Sequence, residues 1–164
     1  MRKPIIPAAI AVMLTLAGPL RAEDPLVVPV QRLSLAAASA VAEGAVAECR
    51  ARGIQVAATV VDRDGVVLVT LRDTIAAPIT VPISRMKAAT AANFNAPTAD
   101  LTALADTAIG RVDGLLMAAG GVPIHAAGST LVGAVGVSGA PGGEIDAACA
   151  RAGLAAIAED LDML

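Results

Sequence analysis

The pattern of apolar and polar positions divides the chain into stretches that favour helices and stretches that favour strands. The first helix is predicted from Leu35 to Arg52, an alanine-rich stretch without proline, with Ser34 as its capping residue and Gly53 just after its end. Its inward side chains are small, so we expect it to lie close to a sheet. The other helices are predicted from Thr80 to about Asn93, from Thr98 to about Ala108, and from about Glu144 to Asp160.

Five short apolar runs predict strands. The first two, Gln55–Asp62 and Val66–Arg72, are rich in β-branched residues and are joined through an Asp-Gly pair, which is typical of a hairpin. The other three runs are Gly114–Ala119, Val122–Ala126 and Thr130–Gly139. Because helices and strands do not alternate regularly, the order predicts an α+β fold, a five-stranded antiparallel sheet flanked by helices.

The first 22 residues have the composition of a secretory signal. Arg2 and Lys3 precede an apolar run from Ile5 to Leu16, and the small residue Ala22 precedes an acidic one, so cleavage is expected after Ala22. The run is shorter than the roughly 20 residues of a spanning helix, which disfavours the alternative of an uncleaved membrane anchor. We interpret residues 1–22 as a signal peptide, 23–33 as a linker and 34–164 as one periplasmic or secreted domain.

Composition excludes one class of partner. The chain has 12 basic and 15 acidic residues, and Arg2, Lys3 and Arg21 leave with the signal, so the mature chain is more acidic still. It has no Trp, no Tyr and one Phe. Neither a positive field for phosphates nor rings for base stacking is available, so nucleic acid is not an expected partner. No second apolar run is long enough to span a membrane.

The two cysteines, Cys49 and Cys149, show no spacing typical of a metal or redox motif. One lies near the end of the first predicted helix and the other in the last. If these helices are antiparallel neighbours on one face of the sheet, the two residues meet, and we predict a disulfide between them. Two separate buried thiols remain the alternative.

Four stretches of the chain resemble, in order, the GlcG/HbpS-like domains, which are also described as haem-degrading or haem-binding domains. They are Val60–Gly65, Lys87–Phe94 with Pro97–Thr98, Gly120–Ile124, and Val132–Ala140 followed by Asp146 and Ala152–Leu154. The resemblance covers nearly the whole mature chain. It implies a five-stranded antiparallel sheet with profilin-like layering, symmetric homo-oligomers and, in some members, haem binding.

With haem as the implied cofactor, His125 is the first candidate for the iron ligand. It is the only histidine of the chain, it follows the Gly-Gly-Val-Pro-Ile turn, and imidazole is the commonest protein ligand of haem iron. The alternative is a loop or strand-edge histidine without a ligand. Met86 and Thr90 are weaker candidates, and Phe94 is the one aromatic ring that can stack on a porphyrin.

Lys87 interrupts an otherwise apolar helix face, so its charge either reaches the surface or meets an anion. In the second case, Lys87 and Arg85, with the amides near Thr80, would hold haem propionates or another carboxylate. Gly120 and Gly121 permit a close approach of the backbone to a ligand, although tight turns and packing explain them equally.

Three functions follow from these residues. The first is an exported haem-binding or haem-handling protein. The second is a small-carboxylate-binding module that uses Lys87 and the Gly120–Ile124 turn, and the third is a ligand-free oligomeric assembly protein with Ala- and Gly-rich interfaces. No acid/base or nucleophile constellation is present, so the residues give no ground for a catalytic mechanism.

Overall fold

The computed structural model of this chain describes residues 25–163. The predicted signal peptide and its cleavage site lie outside this range. Residues 25–30 have no regular secondary structure and are exposed, and a compact unit begins at Gln31. Within the described range, no helix has both the length and the apolarity needed to cross a bilayer.

Helices and strands together form an α+β fold, as predicted. The helices are α1 (Leu35–Ala51), α2 (Thr80–Phe94), α3 (Gly143–Ala155) and α4 (Ala158–Asp162). The strands are β1 (Ala57–Asp62), β2 (Val67–Arg72), β3 (Gly121–Ala126) and β4 (Thr130–Ser138). Two predicted helices differ in detail: the third is a 3₁₀ helix, Thr98–Leu104, and the last is divided into α3 and α4.

The described strands form one antiparallel sheet of four strands in the order β2-β1-β4-β3. Strand β1 is central and fully buried, and its Val60 lies opposite Val69 of β2 and Val135 of β4. The predicted hairpin connects β1 to β2. The β1–β2 hairpin therefore forms one half of the sheet, and the β3–β4 hairpin forms the other half.

The prediction of a fifth strand at Gly114–Ala119 is wrong. Gly114 (φ 87°) and Gly120 (φ 126°) adopt positive φ values, which bend the segment at both ends. The backbone amide of Leu116 donates to Thr90 Oγ1 at 2.8 Å, and the Gly120 carbonyl accepts from the Val137 amide at 2.9 Å. Because the segment is bent at both ends and the Leu116 amide is paired with a helix side chain, Gly114–Ala119 does not form a strand.

The sheet is covered on both faces. Helices α1 and α3 pack on one face, where Ala58 and Val60 of β1 belong to the larger hydrophobic core. Helix α2 packs on the other face, where Val61 meets a smaller core made mostly of alanines. This alternation follows from the two-residue period of a strand. A helix packed through alanines lies close to the sheet, so there is little free space beneath α2.

Helices α1 and α3 contact each other at two glycines and through a disulfide. A Cβ placed on Gly153 would lie 2.3 Å from the Val41 carbonyl oxygen, and one on Gly44 would lie 3.0 Å from Gly153. Close by, Cys49 and Cys149 are fully buried and bonded, with 5.5 Å between their Cα atoms. Of the two alternatives for these cysteines, the structure has the disulfide.

An ion pair joins the end of α1 to the chain just after β2. Arg50 donates from Nε and Nη2 to the two carboxylate oxygens of Asp73, at 2.9 and 2.7 Å. Asp73 is buried and also accepts from the Thr74 amide. The hydrogen bonds from Arg50, and then that from Thr74, hold the pKa of Asp73 below its usual value against the opposing effect of burial.

Replacing both cysteines by alanine is expected to lower the free energy of unfolding by about 2–5 kcal/mol, because the unfolded chain loses the constraint of a long closed loop. Urea unfolding followed by circular dichroism, with and without dithiothreitol, measures the effect. The double variant serves as the control, since reductant should leave it unchanged. Equal stability of the oxidised and reduced wild type would contradict this prediction.

The Arg50–Asp73 pair predicts an acid-dependent loss of stability. Because the pKa of Asp73 is lower in the folded state, its stabilising effect is complete above the ordinary aspartate pKa of about 3.9 and is lost as pH falls through the folded value. D73N should therefore be less stable at neutral pH and show a shallower acid decline. Thermal unfolding across pH tests this, with E48Q as control because Glu48 pairs only with exposed Arg52. Parallel curves for D73N and wild type would argue against it.

Candidate functional site

The domain contains an ion pair in which both charged side chains are buried. Lys87 Nζ on α2 lies 2.8 Å from Asp146 Oδ2 on α3 and donates to the Val137 carbonyl oxygen at 3.1 Å. The Ala140 amide donates to the second oxygen of Asp146 at 3.0 Å. The side chains of Lys87 and Asp146 are only 6% and 4% exposed. Each charge therefore has both an opposite charge and a backbone partner, as burial requires.

The structure excludes a surface position for the Lys87 charge and agrees with the alternative that it meets an anion. The side chain does not reach the surface, and the anion it meets is an internal aspartate. Its ammonium group is therefore unavailable to haem propionates or to a small carboxylate, so the proposed carboxylate site at Lys87 and the Gly120–Ile124 turn is wrong.

The structure gives Gly120 and Gly121, which were predicted as cofactor contacts, buried positions with a packing role. A Cβ on Gly120 would lie 2.7 Å from Lys87 Nζ, and one on Gly121 would lie 2.4 Å from the Lys87 carbonyl oxygen. The space that these glycines leave is filled by α2 itself, and in particular by Lys87. Both glycines allow the chain to pack closely around the ion pair.

A groove lies beside the outer side of α2, and we call it the α2 groove. It has a volume of about 420 Å³, a size found among small-molecule sites. It lies between α2, the β1–β2 turn and the segment that precedes β3. Its lining residues are Gly65, Pro82, Arg85, Met86, Ala89, Asn93, Asp113, Gly114 and Leu115.

Two of the residues singled out in the sequence, Arg85 and Met86, line this groove together. Arg85 is exposed and makes no ion pair within residues 25–163. Met86 is partly buried, and Leu115 and Pro82 add apolar surface around it. The groove thus places the guanidinium of Arg85, whose N–H groups can donate hydrogen bonds, next to apolar side chains.

Thr90 is fully buried and does not line the α2 groove. Its hydroxyl instead accepts the hydrogen bond from Leu116, one residue beyond the groove-lining Leu115. Thr90 therefore fixes the position of one wall of the α2 groove. The sequence analysis did not identify Asp113, Gly114 and Leu115 as site residues, because Gly114 and Leu115 fall in a predicted strand and Asp113 directly precedes it.

His125 and Phe94 do not line the α2 groove. His125 lies on β3, and its Nε2 is 2.7 Å from Asn95 Oδ1, at the residue that ends α2 in a left-handed conformation. Phe94, the last residue of α2, is partly buried. Among residues 25–163, no group of three or more His, Cys, Asp or Glu side chains is placed to hold a metal ion.

A second and larger groove, the α1–α4 groove, lies on the opposite side of the sheet and has a volume of about 630 Å³. Most of its lining is apolar, and part of it belongs to the larger core. Its lining residues are Gln31, Arg32, Leu33, Ser34, Ala36, Ala37, Ala40, Ala126, Val132, Ala156, Ile157, Asp160 and Leu161. No local pattern in the sequence indicates this groove, because its residues come from four separate segments.

Comparison with known proteins identifies relatives of this chain. The family model described as haem degrading protein HbpS-like matches residues 33–155. A crystal structure of a double mutant of HbpS from Streptomyces reticuli is 39% identical, covering 85% of this chain and 96% of that one, with a TM-score of 0.75. No protein of curated function matches the sequence.

Two further crystal structures share the fold. Protein ORFY of Klebsiella pneumoniae is 26% identical, covering 84% of this chain and 98% of that one, with a TM-score of 0.76. The structure described as the PduOC:heme complex is 25% identical, covering 77% of this chain and 95% of that one, with a TM-score of 0.70.

Removing one partner of the buried pair is expected to destabilise the domain strongly. K87M leaves the charge of Asp146 uncompensated and should lower the free energy of unfolding by about 3–5 kcal/mol. K87M/D146N removes both charges but keeps an acceptor for the Ala140 amide, so it should recover much of this loss. Urea unfolding of the single and double variants measures the difference. A double variant no more stable than K87M would show that charge compensation is not the reason for the pairing.

Proposed function

The chain belongs to the HbpS-like family of haem-degrading proteins, and we propose that it binds haem in the α2 groove. The observation that carries the proposal is the adjacency of Arg85 and Met86 on one wall of that groove. A relative solved as a heme complex supports the ligand class.

The chemistry of the lining fits haem. The propionates are carboxylates, and Arg85 offers a guanidinium that can donate two parallel hydrogen bonds to such a group. The porphyrin is a flat apolar ring, and Met86, Leu115 and Pro82 give it an apolar surface. Met86 is also the one lining residue with a thioether, a known haem iron ligand.

We therefore assign the iron contact to Met86 rather than to His125. His125 lies on β3, is hydrogen-bonded to Asn95 and is not among the lining residues. When bound, haem would supply a redox-active iron centre. The residues of the chain would orient the haem. Arg85 would bind the propionates, and Met86 would contact the face of the porphyrin. Thr90 would act indirectly, because it holds the groove wall at Leu115 and Leu116 in position.

Export is part of this proposal. The N-terminal residues have the pattern of a signal peptide, and disulfides such as Cys49–Cys149 persist mainly in oxidising compartments outside the cytoplasm. We place haem binding in the periplasm or outside the cell. Self-association, implied by the family resemblance, stays a prediction.

A haemin titration followed by the Soret band tests the proposal. The wild type should saturate with one haem per chain, and R85Q should bind about three- to tenfold more weakly, because it loses a charged hydrogen-bond donor. R151Q is the matched control, since Arg151 is an exposed arginine on α3 without an ion pair among the described residues. M86L should shift the Soret maximum, whereas H125A should keep the wild-type spectrum.

Three results would count against the proposal. Absence of a saturable Soret change in the wild type would exclude haem as a ligand. Equal weakening by R85Q and R151Q would mean that net charge, and not the α2 groove, governs binding. Loss of the wild-type spectrum in H125A but not in M86L would return the iron contact to His125.

A further inference from the structure

The α1–α4 groove has the form of a second ligand site that haem binding does not use. Its volume of about 630 Å³ lies within the usual range for small-molecule sites. Leu33, Val132 and Leu161 contribute buried apolar surface that belongs to the larger core. Binding there would remove the apolar part of a ligand from contact with water and would not disturb the sheet.

The groove exists because α1 has small side chains where it passes over this region. Ala36, Ala37 and Ala40 line it, and each carries only a methyl group. Ala156 continues the small-residue wall between α3 and α4. Larger side chains at these positions would fill the groove, so its volume follows from the choice of residues.

Acidic side chains outnumber basic ones at the rim of the groove and immediately next to it. Arg32 is the only basic residue among the described residues that line the groove, and its guanidinium donates to both Asp62 and Asp64, which compensate its charge. Asp160 also lines the groove and makes no ion pair with any residue that the structure describes. Its neighbours on α4 include Glu159 and no basic residue. A cation at this rim would gain attraction, and an anion would meet repulsion.

We propose that the α1–α4 groove binds a small amphiphile with an apolar body and a cationic head, the head lying against Asp160 and the body on the apolar floor. This ligand class is opposite in charge to haem, whose propionates are anionic. The two grooves lie on different faces of the sheet and share no lining residue. The site is therefore independent of the proposed haem function.

Calorimetric titration with decylammonium chloride, kept below its micelle-forming concentration, tests the site, with decanoate as the probe of equal chain length and opposite charge. Decylammonium should bind at one site and about two- to fivefold more tightly than decanoate, the size expected for one exposed ion pair. D160N should reduce or abolish this preference. A37L should block both probes, whereas A51L, on the same helix but outside the groove, should behave as wild type.

Each remaining outcome would overturn the proposal. Absence of decylammonium binding would exclude the site, and equal binding of decanoate would exclude the role of charge. Unchanged binding in A37L would place the probe elsewhere; if A37L does not fold, A36L, at an exposed position of the same wall, gives the same answer. Haemin binding should be unaffected by decylammonium, so failure of one proposal leaves the other standing.

Discussion

The packing of this fold depends on a buried lysine and a buried aspartate that meet at one end of the sheet. Lys87 comes from the helix on one face and Asp146 from the helix on the other, and they meet at the end of β4, where Val137 supplies a carbonyl. An isolated buried charge costs several kcal/mol, so each element must occupy the position that completes the set. Glycine is needed at positions 120 and 121 because the lysine and its helix occupy the space of a side chain.

Local patterns in the sequence predicted most of the secondary structure. The Asp-Gly hairpin and helix α1 with its Ser34 cap are determined by neighbouring residues, and the structure has both. The predicted strand at Gly114–Ala119 failed because its conformation depends on Thr90, a residue far away along the chain. A short apolar run carries no information about which donors and acceptors will receive its peptide groups.

The same distinction applies to the candidate site. Arg85 and Met86 were recognised by residue type on a predicted helix, and they do share a groove. The partner of Lys87 lies 59 positions away, so its identity depends on how α3 packs, which no local pattern contains. His125 was selected for the chemistry of imidazole and for its place after the Gly-Gly-Val-Pro-Ile turn, but it lies on β3 next to Asn95 and does not line the groove.

The Cys49–Cys149 bridge has a topological consequence. The two residues are 100 positions apart, and α2 and every strand of the described region lie between them. The sheet is therefore enclosed in a covalent ring. A protease that cuts an exposed turn within this ring, such as the one around Gly128, would open the ring but release no fragment, because both pieces stay joined through sulfur. A nicked molecule would keep its two pieces together for as long as the bridge remains oxidised.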